Sequence, residues 1–410
     1  MRIGIFTETY TPYISGLVTS EVMLKKALEK KGHEVYVVTA NLEGFHYDYD
    51  EEEKVLRIPG IPTGIYDSRL TSIYPIKAIN KIKSWKLDVI HSQTEFAIGS
   101  FARLFAKQYN IPIVHTYHTM YEDYVHYITK GHFNRSSKKL VEYLTKFYCD
   151  KTINELIVPT KKAYNLFKEK YNVERNIHII PTGIEVERFY KENINLRKLA
   201  ELKRKCKIKA NDFVLIFVGR IAEEKNIPFV IDVVSELSKT NKNLKLLIIG
   251  DGPDKEIYEE YVKQKKATNN IIFTGKVPWE DIPLYYSLGS AFISASTTET
   301  QGLTIIEAMA ASLPALCIDD ESFNGTVVDD LNGYLFKDEK ECRECILKLL
   351  KSKKKLFYLS KGARASAENH SSKYFAERVL DVYKKAIRKK EKSFYSKFKK
   401  RIQKFKFWKK

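Results

Sequence analysis

Residues 296–314 read STTETQGLTIIEAMAASLP, and how they are parsed decides the fold of the chain. An apolar strand over 291–295 runs into a polar turn, then Gly302, then small and aliphatic residues that suit a helix opening near Gly302 or Leu303. A strand that turns directly into a helix is half of a doubly wound α/β unit, in which ligands sit beyond the carboxyl ends of the strands. The first N–H groups of such a helix lack acceptors within it and carry the positive end of its dipole, so a phosphate fits there. Glu299 and Glu307 bracket the turn with seven residues between them. A bare carboxylate beside a diphosphate repels it, so a ligand reading gives both acids hydroxyls to bind, Glu299 on a sugar and Glu307 on a ribose. It also requires cations from elsewhere. The same spacing suits an acidic turn followed by an Ala-rich packing helix, with no ligand at all.

Working outward, the required cations stand at the ends of other apolar runs. The strand 213–218 ends in GRIAEEKN, which puts Arg220 and Lys225 just past a strand end. The strand 244–249 ends in GDGP, read as a tight turn at a sheet edge, and 271–273 ends in TGKVP. In the first half, 2–6 and 34–39 are strands separated by a helix over 19–31, and 89–90, 111–114, 155–159 and 177–180 continue the series. Apolar strands alternating with amphipathic helices over 410 residues predict two doubly wound parallel-sheet domains. The expected domains are 1–190 and 191–370, with a helix over 371–390 that returns to the first and a tail over 391–410. No G-x-G-x-x-G follows the first strand, which sets aside a dinucleotide oxidoreductase.

One strand end of the first half is rich in polar and aromatic groups: HTYHTMYEDYVHYITKGHF, 115–133. Alternation puts Thr116 and His118 on one side and His115 and Tyr117 on the other, with His118 at the rim. Tyr121 and Tyr124 follow and suit an apolar acceptor path or a mobile lid. A lone histidine in an aromatic loop is also an ordinary surface feature.

Composition narrows the class. No apolar run is long enough to span a bilayer, and the opening MRIGIFTETY reads as a buried strand rather than a signal peptide, so a cytoplasmic enzyme is expected. The five cysteines are scattered, and the lone C-x-x-C of Cys342 and Cys345 has no second ligand pair, so reduced thiols and no bound metal are expected. The net charge of +19 is concentrated: residues 384–410 hold fourteen Lys and Arg against the single acid Glu391. There Phe394, Phe398, Ile402, Phe405 and Trp408 fall at helical intervals, an apolar stripe on a cationic helix. That pattern suits an anionic membrane surface. A solvated extension or a nucleic-acid contact shares the composition, but an apolar stripe has no use on a duplex backbone, so no nucleic acid is expected.

With these residues in place the chain resembles the retaining glycosyltransferases of family 4, whose GT-B fold has two facing Rossmann-like domains. The resemblance rests on ISGLVTSEV, HTYHTMYEDY, VPTKKA, IPTGIEVERF, FVGRIAEEKN, IIGDGP, FTGKVP, ETQGLTIIEAMA and NGYLF, and covers about residues 1–390. It implies that Arg220 and Lys225 neutralise the donor diphosphate. It further implies that Glu299 and the backbone of Gln301, Gly302, Leu303 and Thr304 hold the donor sugar and phosphate, that Glu307 binds the ribose and that the loop at Val277 frames the base. His118 would contact the donor sugar near the reacting carbon. The family's first loop often carries a glycine pair; here it is Ser15-Gly16, leaving Gly16 for any backbone approach to phosphate.

HTYHTMYEDYVHYI, SGLVTSE and TTETQGLT are similar to the bacterial 1,2-diacylglycerol 3-glucosyltransferases. That similarity implies transfer of glucose from UDP-glucose to membrane diacylglycerol by an enzyme peripheral on the inner face of the cell membrane. It implies no tightly bound cofactor, leaves the need for a divalent cation open, and gives a nucleotide sugar and a lipid as partners. The alternatives are the same chemistry on a soluble or cell-wall glycan, and a non-enzymatic basic binding protein.

Overall fold

The computed structural model describes residues 1–13, 15–62, 69–118, 142–297, 302–323 and 325–407, with side chains to residue 392. The chain divides into two compact units, Met1–Gly183 with Ser372–Lys410, and Ile184–Ser371.

Among the described residues the first unit is built on nine strands: β1 (Arg2–Phe6), β2 (Glu34–Asn41), β3 (Asp48–Asp50), β4 (Val55–Pro62), β5 (Arg69–Thr71), β6 (Val89–Ser92), β7 (Ile113–Thr116), β8 (Glu155–Val158) and β9 (Ile177–Ile179). Their order is β3-β4-β2-β1-β6-β7-β8-β9, with β5 paired to β4. All neighbours are parallel except β3 and β5, which run antiparallel to β4. The interior strands are buried on both faces, which is why they read as continuous apolar runs. One face packs Phe6, Ile90 and Leu156 under the helix Ala97–Gln108. The other packs Ile3, Ile5, Val89 and Val114 under Leu24 and Leu28 of the helix Gly16–Lys30 and under Phe375, Val379 and Tyr383. These last belong to one long helix, Ser372–Phe407. Polar contacts pin it: Lys31 to Glu377 at 2.7 Å, Arg378 to the Ile179 carbonyl at 2.8 Å, and Lys389 to the buried Glu155 at 3.4 Å.

Glu8 ties β1 to the helix Ala97–Gln108. Its Oε1 accepts from the N–H groups of Ile98 at 2.9 Å and Gly99 at 3.4 Å, a cap supplied from 90 residues away. Burial outweighs those two bonds and pushes its carboxyl up to about 7. Because the folded-state value lies above the unfolded one, ionising Glu8 works against the fold as pH rises from about 4.5 through 7. Glu8→Gln is therefore expected to stabilise the unit above pH 7 relative to wild type and to be near neutral at pH 5. Urea melts at the two pH values check this.

The second unit has six parallel strands, β10 (Phe213–Val218), β11 (Leu244–Ile249), β12 (Ile271–Gly275), β13 (Ala291–Ser294), β14 (Ala315–Ile318) and β15 (Gly333–Phe336), in the order β12-β11-β10-β13-β14-β15. Helices cover both faces: Ile227–Leu237 and Glu339–Lys351 on one, Leu303–Ala310 and Lys353–Glu368 on the other. Sheet order reverses between β10 and β13, and such a switch point leaves a crevice at the strands' carboxyl ends.

GDGP corrects the sequence reading: it follows β11, an interior strand, and is not at a sheet edge. A Cβ on Gly250 would lie 1.9 Å from the Gly219 carbonyl oxygen, and one on Gly252 2.1 Å from that of Ile221, so the turn presses against the end of β10. All five cysteines are buried free thiols; Cys342 and Cys345 lie on the core-facing side of the helix Glu339–Lys351.

Candidate active site

The polypeptide opens the helix Leu303–Ala310 at Gly302, whose φ of +68° is left-handed. Only glycine takes that conformation without strain, and a side chain would also crowd Ile305 and Phe323 at 3.0 and 3.1 Å. The N–H groups of Leu303 and Thr304 thus lead the helix at the end of β13, as the sequence predicts. The adjacent β10 ends in Gly219 and Arg220, and Lys225 closes a short 3-10 turn, Glu223–Lys225. The Ser296 hydroxyl reaches the Glu224 carbonyl at 3.4 Å, which stitches that turn to the loop after β13. Arg220 is exposed and Lys225 half-buried, both on the switch-point loops. Sheet order has therefore brought together the cationic turn and the helix N-terminus that the sequence left 80 residues apart.

Glu307 is buried on the first turns of the helix. The Tyr286 hydroxyl donates to its Oε2 at 2.9 Å and lies 3.1 Å from the Thr304 carbonyl, while Oε1 has no partner among the described residues. Burial pushes the carboxyl up to about 7, against the opposing pull of Tyr286 and Arg188. Arg188 comes from the turn Val186–Phe189 and stacks its guanidinium 3.3 Å from the ring centre of Trp279, with Nη2 donating to the Trp279 carbonyl at 3.4 Å. Its buried Nη1 has no partner among the described residues. Val277, two residues before Trp279, is half-buried against the cluster that holds Ile305 and Phe323. Sequence reasoning missed Arg188, Tyr286 and Trp279. Arg188 lies inside the motif IPTGIEVERF and Trp279 directly follows FTGKVP, neither with a spacing that marks it out; Tyr286 had no signal.

An ionised Glu307 accepts hydroxyls and a protonated one does so weakly. With its pKa near 7, the KM for a ribose-bearing donor is expected to rise as pH falls below 7. Tyr286→Phe removes a bond that favours the charged form, so the midpoint should move upward. Donor KM measured between pH 6 and 8.5 tests both.

In the first unit, Ser15 caps the helix Gly16–Lys30 through a bond from Val18 N at 3.2 Å, and Gly16 is exposed at its start. His118 follows β7, and its Nε2 meets Gln93 Oε1 at 2.7 Å. Burial lowers its pKa to about 4, so the ring is neutral at physiological pH. On the opposite side of β7, His115 holds the Ser92 carbonyl at 2.9 Å and Glu95 at 2.9 Å. Arg103 donates to Ser92 Oγ at 3.0 Å and the Gly99 carbonyl at 2.8 Å, which rivets the 92–95 loop that carries Gln93.

Glu95, His115 and Cys149 are the one group of described residues with metal-ligand chemistry, their atoms within 4.8 Å of one another. A metal fits poorly there: His115 and Glu95 already pair directly, and the charge of Arg103 acts on both His115 and Cys149. Glu299, Gln301, Tyr121, Tyr124 and Trp408 lie outside the described residues, as do the side chains of Phe394, Phe398, Ile402 and Phe405.

Two family profiles match the chain: Glycosyltransferase Family 4 over residues 14–188, and Glycosyl transferases group 1 over residues 200–366. An alpha-monoglucosyldiacylglycerol synthase of Acholeplasma laidlawii is 38% identical over 97% of this chain and 100% of its own length. A synthase of the same name from Streptococcus pneumoniae is 35% identical over 94% of this chain and 86% of its own. Among solved structures, Anabaena HepE in complex with UDP matches with a TM-score of 0.72 at 15% identity, covering 94% of this chain and all of that one, a likeness of fold. Two Rossmann-like parallel-sheet units, two matched profiles and end-to-end identity at this level place the chain in one family: it is a glycosyltransferase of family 4.

Proposed function

We propose that the enzyme moves glucose from UDP-glucose to diacylglycerol and forms an α-glucosyl diacylglycerol. The observation that carries this reading is the 38% identity, along the whole of both chains, to a synthase named for that product. UDP-glucose is α-linked, so an α product means retention at the anomeric carbon.

The roles in this reading rest on the family resemblance, and the geometry within each unit supports them. Arg220 and Lys225 meet the diphosphate, the backbone of Gln301, Gly302, Leu303 and Thr304 meets a phosphate oxygen, Glu299 binds the donor sugar, and Glu307 takes the ribose hydroxyls. Arg188 and Trp279, packed near Glu307 and Val277, frame the base. His118 offers a ring nitrogen to the sugar. The protein holds no carboxylate nucleophile in this scheme. As the C1–O bond to UDP breaks, the leaving phosphate oxygen takes the proton of the acceptor hydroxyl on the same face, and the protein contributes position and charge. No tightly bound cofactor enters.

The lipid acceptor calls for a membrane surface. The reading is of an enzyme resting on the inner leaflet; among the described residues no helix is long and apolar enough to cross a membrane. Support comes from the basic tail and from Ile61, Leu70, Ile73 and Ile76, 54–72% exposed beside Lys77 on the first unit. Lys81 contributes less than Lys77, since it is paired to Glu51 at 3.1 Å.

Incubation with labelled UDP-glucose and diacylglycerol in anionic micelles should give a lipid-soluble label that α-glucosidase releases. If no sugar nucleotide yields one while a glycan acceptor does, the lipid reading is rejected.

A further inference from the structure

His118 is the last member of a buried chain of hydrogen bonds. Its partner Gln93 places Nε2 3.2 Å from His91 Nδ1. His91 Nδ1 also lies 2.7 Å from the Tyr383 hydroxyl, and its Nε2 lies 2.6 Å from Thr116 Oγ1. Gln93, His91, Thr116 and Tyr383 are all buried.

The protons in this chain can be placed. Among the described residues the Tyr383 hydroxyl has no hydrogen-bond partner other than His91. A buried O–H without an acceptor is costly, so it donates and His91 Nδ1 accepts. His91, held neutral by burial, then carries its proton on Nε2 and donates to Thr116. A Gln93 oxygen 3.2 Å from the bare Nδ1 would set lone pair against lone pair, so the amide turns its NH₂ to His91 and its oxygen to His118. That oxygen only accepts, so His118 keeps its proton on Nε2 and leaves the Nδ1 lone pair without a partner among the described residues. The reverse arrangement, with the Gln93 amide turned over, satisfies every group except the Tyr383 O–H. One hydroxyl, 292 positions along the chain from His91, breaks the tie.

We propose that Tyr383 sets the tautomer of His118 through His91 and Gln93, and that these three are positioning residues for sugar transfer. They present His118 Nδ1 as a hydrogen-bond acceptor to a hydroxyl of the donor sugar, a role that rests on the glucosyltransferase reading above. The helix that continues into the basic tail therefore also carries the group that orients the site histidine.

The test is a long-range proton–nitrogen correlation spectrum of the full-length protein labelled with ¹⁵N-histidine, without substrate, with the His118 signals identified from their loss in His118→Asn. Wild type should show His118 protonated on Nε2 and bare on Nδ1. Tyr383→Phe should populate both tautomers and lower kcat/KM for UDP-glucose about tenfold, with the melting temperature checked alongside. Adding Gln93→Glu to Tyr383→Phe should return His118 to the Nε2–H form, because a carboxylate accepts from both rings, a rescue that a purely structural role would not give. A wild-type His118 protonated on Nδ1, or a His118 signal unmoved by Tyr383→Phe, overturns the relay. Because the spectra need no turnover, they decide the relay separately from the micelle assay, which decides the function.

Discussion

Arg220→Ala is expected to lower kcat/KM for UDP-glucose by about two to three orders of magnitude while the fold melts as before. The residue is exposed at the end of β10 and carries no part of the core, so its removal leaves the sheet intact. What it removes, in the proposed reading, is a charge that meets the diphosphate. UDP bears its charge in the ground state and gains about one more unit as the glycosidic bond breaks. At about 4 Å and an effective dielectric near 20, each unit of charge interacts by roughly 4 kcal/mol. Loss of one preorganised stabilising group typically costs about a hundred- to a thousandfold in rate. Part of the loss should appear as a raised donor KM, since ground-state charge is also neutralised, and the rest in kcat. Lys225→Ala should behave alike, and the double variant should lose less than the product of the two, because both cations act on one leaving group. Steady-state kinetics with UDP-glucose and diacylglycerol, beside thermal melts, give all four numbers. Turnover within twofold of wild type in both single variants would remove the β10 turn from the donor site.

The sequence carried the parts of the fold where burial dictates composition. β10, FVLIFV, is buried on both faces and could be read as nothing but an interior parallel strand. The turn into the helix at Gly302 was legible for a similar reason, since a glycine between a strand and an aliphatic run marks a left-handed start. β3, β4 and β5 were not legible: DYD and RLT are short and polar, and VLRIPGIP is interrupted by two prolines. They form a sheet edge only because β4 finds β2, a tertiary event without periodic signal. On the C-terminal helix Tyr374, an aromatic next to the buried Phe375, is 51% exposed, while Ala376 and Ala386, too small to carry a periodic signal, are wholly buried.

The site divides along the same line. Glu307, Arg220, Lys225 and His118 stand at strand ends or helix starts, where doubly wound topology tells the reader to look. Tyr286 donates to Glu307, the charge of Arg188 acts on it and Trp279 meets Arg188, from three separate segments that no spacing connects. The Tyr383–His91–Gln93 chain is further still from any motif, because a helix at the end of the chain lies over a strand near its start.

Deletion of residues 391–410 should reduce binding to anionic vesicles by about a thousandfold and leave the catalytic units folded. The deleted segment holds nine Lys and Arg against Glu391. Each cation near an anionic leaflet contributes roughly 1 kcal/mol, so engagement of about half of them amounts to about 4 kcal/mol. The stripe of Phe394, Phe398, Ile402, Phe405 and Trp408 adds an apolar term that salt does not screen. The remaining helix, with Phe375, Val379 and Tyr383 on the first sheet, and with the Lys31–Glu377 and Lys389–Glu155 pairs, stays docked, so stability should change little.

Sedimentation with vesicles of increasing anionic content separates the two contributions. Full-length protein should bind more tightly with each increment and more weakly with added salt, whereas the deleted protein should respond little to either. A variant with the five apolar residues changed to serine and all charges kept should retain salt-sensitive binding at reduced strength. On soluble short-chain diacylglycerol the deleted enzyme should turn over as wild type does, because the residues that hold the donor and orient His118 remain. Equal vesicle binding by full-length and deleted protein would transfer the membrane contact to the first unit, where Ile61, Leu70, Ile73 and Ile76 stand exposed.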